Sequence, residues 1–291
     1  MRPGHQTLSA YILLLPTILP LVFFVGLPVV AGLYLSLTNF QPLTGKADFI
    51  GVANFEALLS DRIFHLTLGN TVAFTVMFVP LTLIFGLGTA LLLERTFRGV
   101  GLVRLAFYLP TLTTGVVVAF MTALVLQPNT GWINVGLRAI GLPQILWMSE
   151  PGNAMFVLVG AAVWKSFGWA MIIYLAGLTA IPEELYEAAR IDGAGRLQLI
   201  RHITLPLLRP VTLTVVVLLT IFSLQVFDIV AVLAEKWLPL ESVTTMVHQI
   251  YLNAFKFNDG GFAAAMAGVL FVMIAAVSFV NYRIVARDVK Y

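Results

Sequence analysis

The chain has 291 residues, of which 59% are hydrophobic and only 11% charged, with a mean hydropathy of +0.95. A water-soluble domain carries about a quarter charged residues, so most of this surface cannot face water and the chain reads as an integral membrane protein. It has no cysteine, which excludes disulfides and thiolate metal sites, and its net charge of +3 is small enough that placement matters more than size.

Six apolar stretches are long enough to cross a hydrocarbon core of about 30 Å, which takes about 20 helical residues. They lie near 10–36, 68–93, 103–126, 154–179, 210–234 and 262–286. The runs do not alternate, which favours helices over a barrel. The expected fold is therefore all-α, a polytopic membrane protein with six transmembrane helices in one domain over residues 1–291. The first stretch holds Pro16, Pro20 and Pro28, expected to kink or break it and to lay its inner end along the membrane surface. A cleaved signal peptide from Leu8 onward is the alternative, but the run exceeds the roughly 7–15 apolar residues of a signal.

Orientation is read from Lys and Arg. With the N-terminus inside, 11 of the 17 fall in inner segments, five (Lys46, Arg62, Arg138, Lys236, Lys256) in outer loops, and Lys165 within a span. This places both termini and residues 181–206 in the cytoplasm. An odd number of spans would reverse it, but the short, strongly basic loop 94–101 argues against that. The outer loops, 38–67, 127–153 and 235–261, carry Gly, Pro, Asn and Trp and suit short surface helices joined by turns.

The loop that reads EELYEAARIDGAGRLQLIRHITLP gathers Glu183, Glu184, Glu187 and Asp192 with Arg190, Arg196, Arg201 and His202. Pro182 suits a first helical position, and the two glutamates then sit where the helix dipole favours acids. Gly193 is a fitting stop, and it is expected to take a positive φ. Ala188 and Ala189 would let another surface approach closely, and Glu187 offers a charge to a basic partner. A second amphipathic turn through Leu197, Ile200 and Ile203 ends at Leu205-Pro206. A helix lying on lipid is the alternative, but anionic lipid would repel its leading acids.

Glu187-Ala188-Ala189, Gly193, Ile203, Leu205 and Pro206 resemble the EAA…G…I-LP signature of binding-protein-dependent ABC transporter permeases. Nearly the whole chain is similar to the carbohydrate-type members, such as the maltose and glycerol-phosphate permeases. FIGVANFEALL, LGNTVAF, GLGTALLLERTFRGVGLVRLAFYLP and YLNAFKFNDGGFAAAMAGVLF carry that likeness. One departure is LAEKWLPLES, where many members have a Gly-Gly-Pro turn after the fifth span. That loop lies on the side where a solute-binding protein would dock.

The resemblance implies a cell-membrane permease subunit of an ABC importer for a sugar or related polyol. Its partners would be a second permease, two ATPase subunits and an extracytoplasmic solute-binding protein, with no nucleic acid. Glu183, Glu184, Glu187, Ala188, Ala189, Gly193, Ile203, Leu205 and Pro206 would form the coupling loop seated on the ATPase. The chain itself would be no enzyme and hold no cofactor, ATP and Mg residing on the partner. The residues agree: no G-x-x-x-x-G-K-[ST] loop, no H-E-x-x-H and no metal-ligand spacing among His5, His65, His202 and His248. GLGTAL and GVGLVR do not complete G-x-G-x-x-G, and Ala264 with Gly268 reads as a helix contact.

Lys165 and Asp228 are ionisable residues inside apolar spans, both placed in the outer half of the membrane. Such residues usually face a cavity or a partner. With Asn70, Trp169, Phe222 and Gln225 they are the candidate substrate path, and Trp164 and Phe227 lie close by in sequence. Aromatic faces stack on the C–H face of a sugar while polar groups bond its hydroxyls. A structural Lys–Asp pair and a snorkelling lysine are the competing accounts. An ion-gradient-driven secondary transporter is the alternative function; it predicts repeat halves, broken central helices and an intramembrane acid, and leaves the cytoplasmic motif unexplained.

Overall fold

The structure, a computed structural model, describes residues 13–95 and 97–288. Arg2, His5, Lys290 and residues 10–12 of the first predicted span lie outside them. The described residues are helical, with one isolated antiparallel bridge between Thr38 and Phe49. In chain order the helices are α1 (Leu13–Leu35), α2 (Ala53–Ser60), α3 (Arg62–Leu93), α4 (Val100–Leu112), α5 (Gly115–Val125), α6 (Trp132–Ala139) and α7 (Pro151–Thr179). There follow α8 (Glu183–Ile191), α9 (Arg196–Leu199), α10 (Arg209–Leu224), α11 (Asp228–Lys236), α12 (Leu240–Val243), α13 (Met246–Tyr251) and α14 (Gly260–Asp288).

Among the described residues, five stretches are long and apolar enough to span: α1, α3, α7, Arg209–Lys236 and the Gly260–Asn281 part of α14. The sixth is α4 with α5, bent by 102°. Five of the six predicted spans are therefore present, the fifth interrupted between α10 and α11, and the third takes the form of the bent pair α4 and α5. The prolines of the first span do not break it. A π-helical turn, Val22–Gly26, precedes Pro28, and Leu27 N–H bonds to Val22 O. The widened turn takes up the proline's missing donor and its ring.

The contacts gather into two compact units. One holds the described residues up to 64 with Gln249–Val272. Here the loop after α1 is pinned by Asn54, whose Nδ2 donates to Ser36 O and Thr38 O, both at 2.8 Å. The start of α14 packs on the same loop: Gly261 N–H bonds to Phe40 O at 2.9 Å, and a side chain at Gly261 would collide with Thr38 O.

The other unit, His65–His248 with residues 273–288, carries the main hydrophobic core. That core runs from Phe74 and Phe78 of α3 through Ala119 of α5, Leu158, Met171 and Tyr174 of α7, Leu219 of α10 and Val230 of α11. Glycines set its closest crossings. A Cβ on Gly86 would lie 2.7 Å from Ala170 Cβ, one on Gly177 2.9 Å from Leu208 and Val211, and one on Gly168 would strike Phe107 O of α4. Without a hydrophobic drive between helices in lipid, such close approach supplies the packing energy.

Breaks inside a membrane free backbone groups that need protein partners. At the bend of the third span Thr113 Oγ1 donates to Pro110 O at 2.7 Å, and Thr114 Oγ1 caps Val117 N–H. At the interruption of the fifth, Thr245 Oγ1 donates to Val226 O at 3.1 Å.

Candidate functional site

Two places carry the sequence-predicted residues, and both lie within the larger unit. The first is the 181–206 loop. Pro182 is the N-cap of α8 rather than its first residue, with φ −61 and ψ 133, and Glu183 and Glu184 occupy the first turn as expected. Arg190 stands in the last turn, so the charges complement the dipole at both ends. The helix closes in a Schellman turn: Gly193 N–H bonds to Arg190 O and Ala194 N–H to Ala189 O, with Gly193 at φ +84. The positive φ expected of Gly193 is present.

The chain then turns back on itself. Gln198 Oε1 accepts from Gly195 N–H at 2.7 Å, and Tyr186 and Thr204 hydroxyls bond at 3.0 Å across the two arms. Ala189, Asp192, Gly193, Ala194, Gln198, Leu199, His202 and Ile203 line a hollow of about 320 Å³ between the arms. The two adjacent alanines thus part company: Ala189 faces the hollow, while Ala188 is exposed with Glu183, Glu184 and Glu187. Ile191 is 87% and Leu197 77% exposed, so Leu197 points outward rather than joining half-buried Ile200 and Ile203. Leu205-Pro206 does not end the helix. Residues Ile200–Thr204 form a π turn, Leu205 N–H bonds to Ile200 O, and Leu205–Leu207 is again α-helical. The π turn opens room for the proline ring.

The second place is a cavity of about 450 Å³ lined by Phe74, Phe78, Ala162, Lys165, Ser166, Phe222, Ser223, Gln225, Val226, Phe227, Asp228 and Ile229. Four of the six predicted path residues meet there: Lys165, Phe222, Gln225 and Asp228. Trp169 does not line it, but its ring meets Phe222 edge-on at 5.7 Å. Asn70 is a correction. Its Nδ2 donates to Glu241 O at 2.8 Å and Thr244 O at 3.0 Å, so both donors are spent holding the 240–244 segment on α3. Trp164 faces a different, apolar hollow.

Lys165 and Asp228 share the cavity but form no ion pair among the described residues. Lys165 is 14 residues beyond Pro151 in a helix of 29, at the middle of that helix. Asp228 opens α11, accepts from Ile229 N–H at 2.9 Å, and lies against Gly115, the first residue of α5, where a Cβ would collide with the carboxylate. Sequence reading missed Ser166, Phe74 and Phe78 as lining residues. Ser166 follows Lys165 directly and was the accessible clue; the phenylalanines carry no local signal, because they reach the cavity from another span.

Residues 101–291 match the family model described as binding-protein-dependent transport system inner membrane component. The chain is 35% identical over 279 residues to a probable ABC transporter permease protein of Pyrococcus horikoshii, covering 95% of each. It is 32% identical over 274 residues to the trehalose/maltose transport system permease protein MalF of Thermococcus litoralis, covering 94% of this chain and 92% of that one. Among solved structures it is similar, at 25% identity and a TM-score of 0.86, to a chain of a bacterial alginate ABC transporter in complex with alginate pentasaccharide-bound periplasmic protein. That match covers 98% of this chain and 96% of the other.

Proposed function

Because the chain belongs to the binding-protein-dependent transport system inner membrane components, and is thus a multi-pass permease subunit of an ABC importer, we propose that it carries a saccharide or related polyol. The relatives named above for trehalose/maltose and alginate support that class. The working assembly would add a second permease, two ATPase subunits that bind ATP and Mg, and an extracytoplasmic binding protein. The broken third and fifth spans meet one expectation of a secondary transporter, yet the family and the exposed loop favour the importer.

The observation that carries the coupling role is the self-supporting 181–206 loop. Local hydrogen bonds fix its shape, and it offers Glu183, Glu184, Glu187, Ala188 and the apolar Ile191 and Leu197 to the outside. A rigid, amphipathic ledge of this kind is suited to a soluble partner's groove. Gly193, Ala189, Ile203, Leu205 and Pro206 hold that ledge in shape. Closure of two ATPases around ATP would move the two permeases' loops and with them the spans, switching the path between inward-open and outward-open states. The path runs past Lys165, Phe222, Gln225 and Asp228, with Trp169 supporting Phe222.

One experiment tests orientation and docking together. The chain has no cysteine, so a single cysteine at exposed Ala188 can be read without background. An impermeant maleimide should label it in inside-out vesicles and not in intact cells, and bound ATPase subunits should protect it. Labelling of intact cells would overturn the orientation, and labelling unaffected by the ATPase would overturn the docking.

A further inference from the structure

The cavity holds one cation and one carboxylate, and the fold treats them unequally. Asp228 stands at two helix N-termini at once, opening α11 and lying on the first residue of α5. Each N-terminus carries roughly half a positive charge, so together they offset much of the carboxylate, which also takes the Ile229 N–H. Lys165 has no such compensation. It sits in the middle of α7, where the dipole contributes no end charge, and among the described residues its side chain makes no ion pair or hydrogen bond. Its backbone carbonyl is engaged by Thr111 Oγ1 at 2.9 Å, which fixes the position of its α-carbon. The cavity therefore presents an ammonium that makes no ion pair with its one carboxylate, beside the Ser166 hydroxyl, the Gln225 amide and the rings of Phe74, Phe78, Phe222 and Phe227.

We infer that Lys165 anchors an acidic group of the solute, so that the substrate is a saccharide or polyol bearing a carboxylate, sulfonate or phosphate. The inference rests on the reading of this cavity as part of the path. An anionic lipid headgroup does not fit the position. Lys165 lies 14 residues from either end of its helix, roughly 21 Å at 1.5 Å per residue, and headgroups stay at the rims of the hydrocarbon layer. A neutral sugar would leave the ammonium unpaired in the least polar part of the membrane, a costly arrangement. An acidic one pairs it by a charge-assisted hydrogen bond and lays its apolar face on the phenylalanines.

The test uses the whole importer, with its cognate permease, ATPase subunits and binding protein, in proteoliposomes. Uptake is measured for matched pairs: glucuronate and glucose, digalacturonate and maltose, glycerol 3-phosphate and glycerol, with inorganic phosphate alone as a further arm. An acidic member of at least one pair should be carried in clear preference to its neutral partner. Lys165→Met should lower that uptake by about tenfold or more, as for loss of one charge-assisted contact, and Lys165→Arg should restore most of it. Carriage of only neutral members, of none of the acidic ones, or of inorganic phosphate without a polyol overturns the inference. The two readings fail differently. Neutral uptake that falls with Phe222→Ala and ignores Lys165→Met keeps the cavity as the path and removes the acidic substrate. Acidic uptake that ignores both substitutions removes the cavity itself.

Discussion

At Leu205-Pro206 the helical chain runs on through a proline, whereas after Pro110 the third span turns by 102°. The proline is the same; the neighbours and the surroundings differ. Before Pro206 the π turn Ile200–Thr204 shifts the hydrogen-bond ladder by one residue, so the proline enters a widened turn that needs no donor from it. After Pro110 come Thr113 and Thr114 in extended conformation, then Gly115 at the head of a new helix that Thr114 caps. The 181–206 loop keeps its shape through contacts within its own stretch of chain: the Schellman turn at Gly193, the Gln198 cap and, 18 residues apart, the Tyr186–Thr204 bond. The bend keeps its shape through contacts far apart in sequence, Gly168 on Phe107, Gly115 on Asp228 and Thr111 on Lys165. A proline thus marks a place where the ladder must be repaired, and the repair decides whether the helix bends.

Three substitutions would break or sharpen this contrast. The largest effect belongs to Gly168→Val, which drives a branched side chain into the Phe107 carbonyl. The cost should be about 3 kcal/mol or more, read as loss of monodisperse protein on size-exclusion chromatography in detergent. Gly88→Ala, with nothing within 4 Å of its Cβ, is the control. Wild-type yield of Gly168→Val would show that α4 is not held on α7 in this way.

Gly115→Ala comes next. Its methyl group collides with the Asp228 carboxylate, and the expected loss is about 1–3 kcal/mol, measured by thermal unfolding of the purified importer. Adding Asp228→Ala should recover part of that loss, giving a coupling of about 0.5 kcal/mol or more in a double-mutant cycle. Strict additivity would separate the two residues and leave the bend without this tie.

The smallest thermodynamic effect is expected at Gly193, whose φ of +84 a side chain adopts at a cost of about 1–2 kcal/mol, with Asn the best tolerated. Insertion should be retained, while uptake falls in the order Gly, Asn, Val. Equal uptake by all three would mean that the left-handed turn is dispensable for coupling.

Much of the loop was legible in the sequence because its determinants are local. Glu183 and Glu184 in the first turn, Gly193 at the stop and the small Ala188-Ala189 pair each have a short-range meaning. The parting of the alanines was not legible, since it depends on how the second arm folds back through Gln198 and Thr204. The cavity was half legible. Lys165 and Asp228 stand out by charge alone in apolar spans, and Gln225 and Phe222 lie near Asp228. Asn70 stood out only as a polar side chain at the head of an apolar span and does not line the cavity, because nothing local says that the 240–244 segment will take both of its donors. The bend had a signal in Pro110 followed by Thr113-Thr114-Gly115, a break and a cap in succession.

By itself the sequence determined the membrane class, six apolar spans and the presence of an exposed charged loop between the fourth and fifth. Each follows from composition or from runs of side chains whose transfer free energy adds up along the chain. Only the tertiary structure decided where spans bend, which residues share a cavity and which polar side chains are already spent. Those outcomes depend on backbone groups freed at Pro110 and Val226 finding partners, and on glycines that let Phe107 and Asp228 come close. In lipid an unpaired backbone group has no water to turn to, so side chains of the protein, near or distant in sequence, must meet it.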